Sequence, residues 1–335
     1  MYVIRWLIRI SRLFSFTDRL FVSIVINSCN TIKKEKKMKT RVFTGAGTAL
    51  ITPMREDGSV DYDTFGPLID WQIEEGIDAL IIAGTSGEGS TLSDQEHKEV
   101  VKFAVERVDK RVPVIAGTGS NDTNYGLQLT KACCDYGVDG VLVVTPYYNK
   151  TTQDGLVKLY YEYADAATAP VILYNVPSRT GVNIAPETYV RLAEHENIVA
   201  VKEASGNISQ ITDTMARVNG NLDMYSGNDD QIVPLLSVGG IGVISVLSNL
   251  LPRETHELVM AYLSGDTQHA MELQLYYNDL IRSLFCEVNP IPVKAAMSYM
   301  GFGANAVRSP LYPMEGANAE RLRESMRRVG IALER

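Results

Sequence analysis

The sequence predicts a (β/α)₈ barrel, a TIM barrel, carrying a C-terminal helical extension. Three observations lead there. Eight short runs rich in β-branched and apolar residues recur from residue 44 onward. Seven of the eight are mostly apolar along their whole length, as parallel strands covered on both faces must be. Through the middle of the chain their starts lie about thirty residues apart, the length of one βα unit, with no linker or composition break to divide them.

In chain order the runs are 47–53, 79–83, 112–116, 140–144, 171–174, 198–201, 223–226 and 241–246. Polar stretches of helical period separate most of them; "SDQEHKEVVKFAVERV" after the second run is typical. The seventh run, "DMYS", is the weakest, since it carries little apolar surface. Eight units without interruption favour a closed barrel over an open doubly wound sheet. An open sheet would ordinarily show a glycine-rich phosphate loop after its first strand. "TGAGTALITP" instead puts its glycines at the start of the strand, "GTSGEG" has the wrong order for a dinucleotide fingerprint, and no GxxxxGK[ST] occurs. Residues 38–265 therefore read as the barrel and 266–335 as C-terminal helices, with breaks at Gly265, "NPIP" and "GFGANAVRSPLYP".

Composition excludes several classes of function. A chain of 335 residues, 45% hydrophobic, can bury a core without disulfides or structural metal. Its four cysteines, Cys29, Cys133, Cys134 and Cys286, suit neither a disulfide framework nor a zinc site and read as reduced packing residues of a cytoplasmic protein. Four histidines without HxxxH or CxxC spacing argue against a metal-centred mechanism. Residues 1–37 hold eight Lys/Arg and two Asp/Glu, so of the 32 basic and 40 acidic residues the remainder has 24 and 38, a net −14. So acidic a domain is a poor ligand for nucleic acid.

The basic N-terminal extension, 1–37, is interrupted by Arg5, Arg9 and Arg12, and its longest uncharged run, 20–32, is too short to span a membrane. "KKEKK" directly precedes Met38. Lys and Glu codons are purine-rich, so the run reads as a translated ribosome-binding region ahead of the true start; a peripheral helix and a signal sequence are the other readings.

In a barrel, the strand ends at the C-terminal face carry the chemistry. Here they supply Thr85 and Ser86 in "GTSGE" after strand two, and Tyr147 and Tyr148 after strand four. They also supply Tyr174 and Arg179 around strand five, and Lys202 after the apolar run 198–201. A lysine there either snorkels to solvent or is placed to react. An amine with an ordinary pKa of about 10.4 is protonated in water, whereas a desolvated one is freed for attack on a carbonyl. A lysine among Tyr and Thr hydroxyls thus suits Schiff-base chemistry, with tyrosine moving protons. The Gly-Thr-Ser-Gly turn, read as opening a helix, would hold a carboxylate on its N–H groups, and Arg179 a second one. Each has a plainer reading: Thr85 and Ser86 as helix caps, Tyr174 as a core tyrosine, Arg179 as a loop arginine. Glu203 should face away from Lys202, because strand side chains alternate. Lys294 in "NPIPVK" is the rival Schiff-base lysine.

"GTSGE", "TPYYN", "YNVPSRTG", "VKEASGN", "GVIS" and "NPIPVK" occur in the order and spacing of the dihydrodipicolinate synthase family of pyruvate-dependent class I aldolases, which the chain resembles from about Phe43 to its end. The resemblance implies condensation of pyruvate with L-aspartate 4-semialdehyde by a homotetramer of tight dimers, without a cofactor. It implies Lys202 as the Schiff base, Tyr174 as general acid/base, and Thr85 with Tyr148 as a proton relay, Tyr148 reaching a neighbouring subunit's site. Thr85 and Ser86 would bind the pyruvate carboxylate and Arg179 that of the semialdehyde, with the Ile244 carbonyl near the reacting centre. Sialic-acid and sugar-acid lyases share the lysine but generally lack the arginine of "PSRT"; a non-catalytic sensing barrel is the reading from another class. His97, Asn121 and Tyr147 match the effector site of lysine-inhibited members, while Asp94 and Tyr125 depart from it: those members often carry His and Glu there.

Overall fold

The computed structural model describes residues 39–333. Residues 1–38, with the expectation for the N-terminal extension, and residues 334 and 335 lie outside the described residues. Eight parallel strands run β1 (Gly45–Ala49), β2 (Ala79–Ile82), β3 (Val114–Gly117), β4 (Gly140–Val144), β5 (Val171–Asn175), β6 (Ile198–Glu203), β7 (Asp223–Ser226) and β8 (Gly242–Ser245). Each pairs with its neighbour in sequence, and β8 pairs with β1 to close the barrel. The closing seam places Gly45 against Gly242, where a Cβ on Gly242 would lie 2.1 Å from the Gly45 carbonyl oxygen, so only glycine fits.

The helices α1 (Tyr62–Glu74), α2 (Asp94–Val108), α3 (Thr123–Asp135), α4 (Gln153–Ala166), α5 (Pro177–Thr180), α6 (Pro186–Leu192), α7 (Ile208–Val218), α8 (Ile232–Ser237) and α9 (Pro252–Ser264) interleave with the strands. Their apolar faces cover the sheet in one large cluster. A separate inner cluster, including Ile115, Ile172, Val199, Tyr225 and Ile244, fills the barrel itself. Two buried layers explain why the strands read as continuous apolar runs. Asp61, Ser93, Asp122, Thr152 and Asn207 each cap the following helix by accepting a backbone N–H.

Strand limits differ from the sequence reading in instructive places. β1 begins two residues earlier and ends at Ala49, because the apolar run to Pro53 continues as buried chain beyond the ladder. β6 runs two residues further, through Lys202 and Glu203, which pair with Tyr174 and Asn175 on one side and Tyr225 and Ser226 on the other. Apolar character marks burial, while the ladder is set by partner strands.

After Gly265, which ends α9 in a left-handed conformation, come α10 (Thr267–Tyr276), α11 (Asn278–Leu284), α12 (Ile291–Tyr299) and α13 (Gly316–Arg328). These helices are bolted to the barrel. Lys294 of α12 forms a buried ion pair with Glu88, whose other oxygen accepts the Arg308 N–H at 2.9 Å. Breaking such a pair leaves a charge buried alone, at a cost of about 3–5 kcal/mol. The Arg308 guanidinium also binds Glu96 and holds that carboxyl at about 2. Ahead of β1 the Lys39 ammonium donates to the carbonyls of Ala193, His195 and Ile198 at 2.6, 2.8 and 2.6 Å.

Candidate active site

β6 turns Lys202 inward and Glu203 outward, as strand alternation requires. Glu203 is taken up outside the barrel, accepting from Asn175 Nδ2, the Tyr189 hydroxyl at 2.7 Å and the Ser205 N–H at 2.7 Å. A strand end held this firmly leaves Lys202 no path to snorkel, and it is only 5% exposed. Its Nζ lies 4.5 Å from the centroid of the Tyr174 ring. That placement follows from the ladder, since Tyr174 and Lys202 are register partners on the same face.

Lys202 and Tyr174 stand in a cavity of about 560 Å³ at the C-terminal ends of the strands, a size suited to small metabolites. Thr85, Arg179, Thr180 and Val176 line it as well. From β7, Gly227 packs so closely that a Cβ there would lie 3.2 Å from Lys202 Cε and 2.8 Å from Ala204 Cβ. Room for the lysine stem thus depends on that glycine.

The turn after β2 differs from its expected form. Residues 84–92 form turns, and α2 starts only at Asp94 with Ser93 as its cap, so Thr85 and Ser86 neither open nor cap that helix. The turn is closed by Glu88 N–H donating to Thr85 O and Gly89 N–H to Gly84 O, and neither bond uses the Thr85 or Ser86 N–H. Ala83 and Glu88 hold left-handed φ of 53° and 52°, strain of the kind found where a backbone is shaped for a ligand. An anion there would meet N–H groups of a turn rather than a helix terminus.

The expected residues do not all converge. Lys202, Tyr174, Thr85 and Arg179 share the cavity, and so do His97, Asn121 and Tyr147. Ser86 and Ile244 are buried and Tyr148 is exposed, and none of the three lines it. The Ser86 hydroxyl turns to Asn289, and Ile244 packs in the inner barrel cluster. Tyr148 is 91% exposed on a left-handed backbone, φ 69°. Both tyrosines lie beyond the end of β4, and the left-handed backbone at Tyr148 separates it from Tyr147. Lys294, the rival lysine, is also outside the cavity and committed to Glu88.

Around His97 the lining combines neutral rings with one paired carboxylate, that of Asp94. His97 is buried, its Nε2 2.9 Å from Gly117 O, and desolvation pushes its imidazole below the ordinary value. Burial likewise raises the Tyr125 phenol, and the Asp94 carboxylate accepts from Lys98 Nζ at 2.7 Å.

Two residues escaped the sequence reading. Asp229, after β7, is 2% exposed; its Oδ2 accepts the N–H groups of Val246 and Leu247 while Oδ1 has no hydrogen-bond partner. Burial raises its acid from the ordinary carboxyl value, against these bonds, the Ser245 hydroxyl and the Lys202 charge. Asn289 reaches the Thr85–Ser86 turn from the C-terminal region. Asn289 opens "NPIPVK", but nothing in that motif tells that it meets a turn 203 residues earlier.

With this geometry in hand, the chain can be set beside known proteins. The model of the dihydrodipicolinate synthetase family matches residues 42–328. A 4-hydroxy-tetrahydrodipicolinate synthase of Caldicellulosiruptor bescii is 52% identical over 292 residues, covering 87% of this chain and 99% of the relative. The crystal structure of dihydrodipicolinate synthase from Aquifex aeolicus superposes with a TM-score of 0.86 at 43% identity, covering 88% of this chain and 100% of that one. The chloride-inhibited dihydrodipicolinate synthase from Acinetobacter baumannii, complexed with pyruvate, gives 0.84 at 43%, covering 86% and 99%.

Proposed function

The chain belongs to the dihydrodipicolinate synthetase family, and from that premise we propose how its barrel mouth works as a 4-hydroxy-tetrahydrodipicolinate synthase, condensing pyruvate with L-aspartate 4-semialdehyde on the route to lysine. The observation that carries the assignment of roles is the Lys202 amine, buried over the Tyr174 ring in a cavity with Arg179 at its rim. Lys202 attacks the pyruvate ketone and water leaves, giving an iminium. That cation draws electrons from the neighbouring methyl, which loses a proton to become an enamine. The enamine carbon adds to the semialdehyde aldehyde, and the new alkoxide takes a proton. The semialdehyde's own amine then displaces Lys202 as the ring closes. Tyr174, with Thr85 and Tyr148, moves these protons.

The Thr85–Ser86 turn takes the pyruvate carboxylate and Arg179 that of the semialdehyde. Mass spectrometry after borohydride reduction with pyruvate should find the adduct on Lys202, and an unmodified Lys202 would refute the mechanism. Turnover with aspartate semialdehyde, and none with N-acetylneuraminate, is expected; the lyase and sensing-barrel readings are not favoured by the relatives. Arg179→Ala should raise the semialdehyde KM by about ten- to a hundredfold, the loss of a charge-assisted pair, while leaving pyruvate trapping nearly unchanged. Equal losses for both substrates would remove Arg179 from this role.

Assembly follows from Tyr148. A relay tyrosine that is 91% exposed and outside its own cavity needs a second subunit to be useful, which supports a tight dimer. Exposed Met271 and Leu275 on α10 support a further contact, and so a homotetramer. The free Cys133, Cys134 and Cys286 support the cytoplasm. His97, Asn121 and Tyr147 form the effector site. With Tyr125 neutral and Asp94 already paired to Lys98, no free carboxylate awaits an amino group there. Full activity in millimolar L-lysine is the expected result of an inhibition curve; inhibition in that range would overturn it.

A further inference from the structure

We propose that Asn289 is a positioning residue that sets the two carboxylate-binding elements of the site in register with each other, an inference resting on the roles assigned above to Lys202, Ser86 and Arg179. Asn289 lies in the break before α12, 203 residues beyond Ser86 and 110 beyond Arg179, yet it holds both. Its side-chain Nδ2 donates to the Ser86 hydroxyl at 3.2 Å, and its backbone carbonyl accepts from Arg179 Nη2 at 3.0 Å. It is 6% exposed and does not line the cavity, so it acts through its partners.

The Ser86 hydroxyl also lies within donating distance of Asn289 Oδ1, at 3.5 Å, so both polar atoms of the amide hold the Ser86 side chain and, with it, the turn it belongs to. The Arg179 guanidinium keeps its remaining N–H groups for a substrate after one is spent on the Asn289 carbonyl. Ser86 belongs to the turn after β2 and Arg179 to α5 after β5, and no strand pairing joins those two strands. Asn289 provides a common anchor for them. The Lys294–Glu88 ion pair and the Arg308–Glu88 bond clamp the same C-terminal region to the same turn, so Asn289 is held on a rigid mount. On this view the C-terminal helices are part of the active site, because they fix the distance between its two anion sites.

Asn289→Ala and the isosteric Asn289→Asp test this by trapping and by steady-state kinetics. In both variants the pyruvate concentration giving half-maximal borohydride trapping should rise about tenfold with kcat changed far less, while the semialdehyde KM should move less, because the carbonyl that accepts from Arg179 belongs to the backbone and stays in place. The aspartate should be worse for pyruvate, since it turns an anion toward an anion site and would accept the Ser86 proton. Combined with Ser86→Ala, Asn289→Ala should add little to the pyruvate effect, because the two removals share the same side-chain contact. A purely structural Asn289 would lower the melting temperature and leave both substrate constants alone, which would overturn the inference. Independent, multiplying effects of Ser86→Ala and Asn289→Ala on pyruvate would do the same. Absence of a Lys202 adduct in the unaltered enzyme would instead refute the catalytic reading beneath it.

Discussion

Lys202→Ala should abolish the borohydride-trapped pyruvate adduct and lower turnover by at least about a thousandfold, the scale on which enzymes fail when their nucleophile is removed. No other amine stands ready. Lys294 is buried outside the cavity and bound to Glu88, and no lysine other than Lys202 lines the cavity among the described residues. Lys202→Arg is the sharper variant, because it retains a cation over the Tyr174 ring while removing the nucleophile. It should be as inactive as the alanine form. Residual trapping in either variant, mapped to another residue, would mean that the reaction uses a different amine.

The second large effect is expected at Tyr174. Tyr174→Phe should lower kcat by about 10²- to 10⁴-fold, the contribution typical of a positioned acid–base group. The phenyl ring would still lie beneath Nζ, so the cation–π contact seen at 4.5 Å survives and only the hydroxyl is lost. Trapping with pyruvate should therefore still occur at Lys202, more slowly, while condensation fails. A phenylalanine variant with nearly full turnover would take proton transfer away from Tyr174 and leave it a packing residue. Melting temperatures close to that of the parent would show that the loss is chemical.

The barrel was legible because its strands are buried on both faces, so the chain had to write each as an apolar run, and even the weak "DMYS" became β7 where predicted. The caps were settled by the structure, as at Ser93 with Glu96. The turn after β2 was misread as a helix opening, because Thr85 and Ser86 are residue types that also cap helices. The structure puts the true cap seven residues after Ser86 and folds the intervening chain into turns, with Glu88 in a left-handed conformation. Ser86 points to Asn289 instead of the cavity, a choice made by a neighbour from the far end of the chain.

Sequence alone determined which residues could do chemistry and on which strand ends they stand: Lys202, Tyr174, Thr85 and Arg179. That information is local, since strand period and turn composition lie within a few neighbouring residues. Tertiary structure decided everything that needs a second segment. It buried Lys202 by pairing it with Tyr174 on β5 and Tyr225 on β7, sent Tyr148 outward, and brought Asn289 to Ser86 and Arg179. Such contacts join residues far apart in the chain, and no local pattern encodes them; only closing the barrel and docking the C-terminal helices brings them within a hydrogen bond of each other.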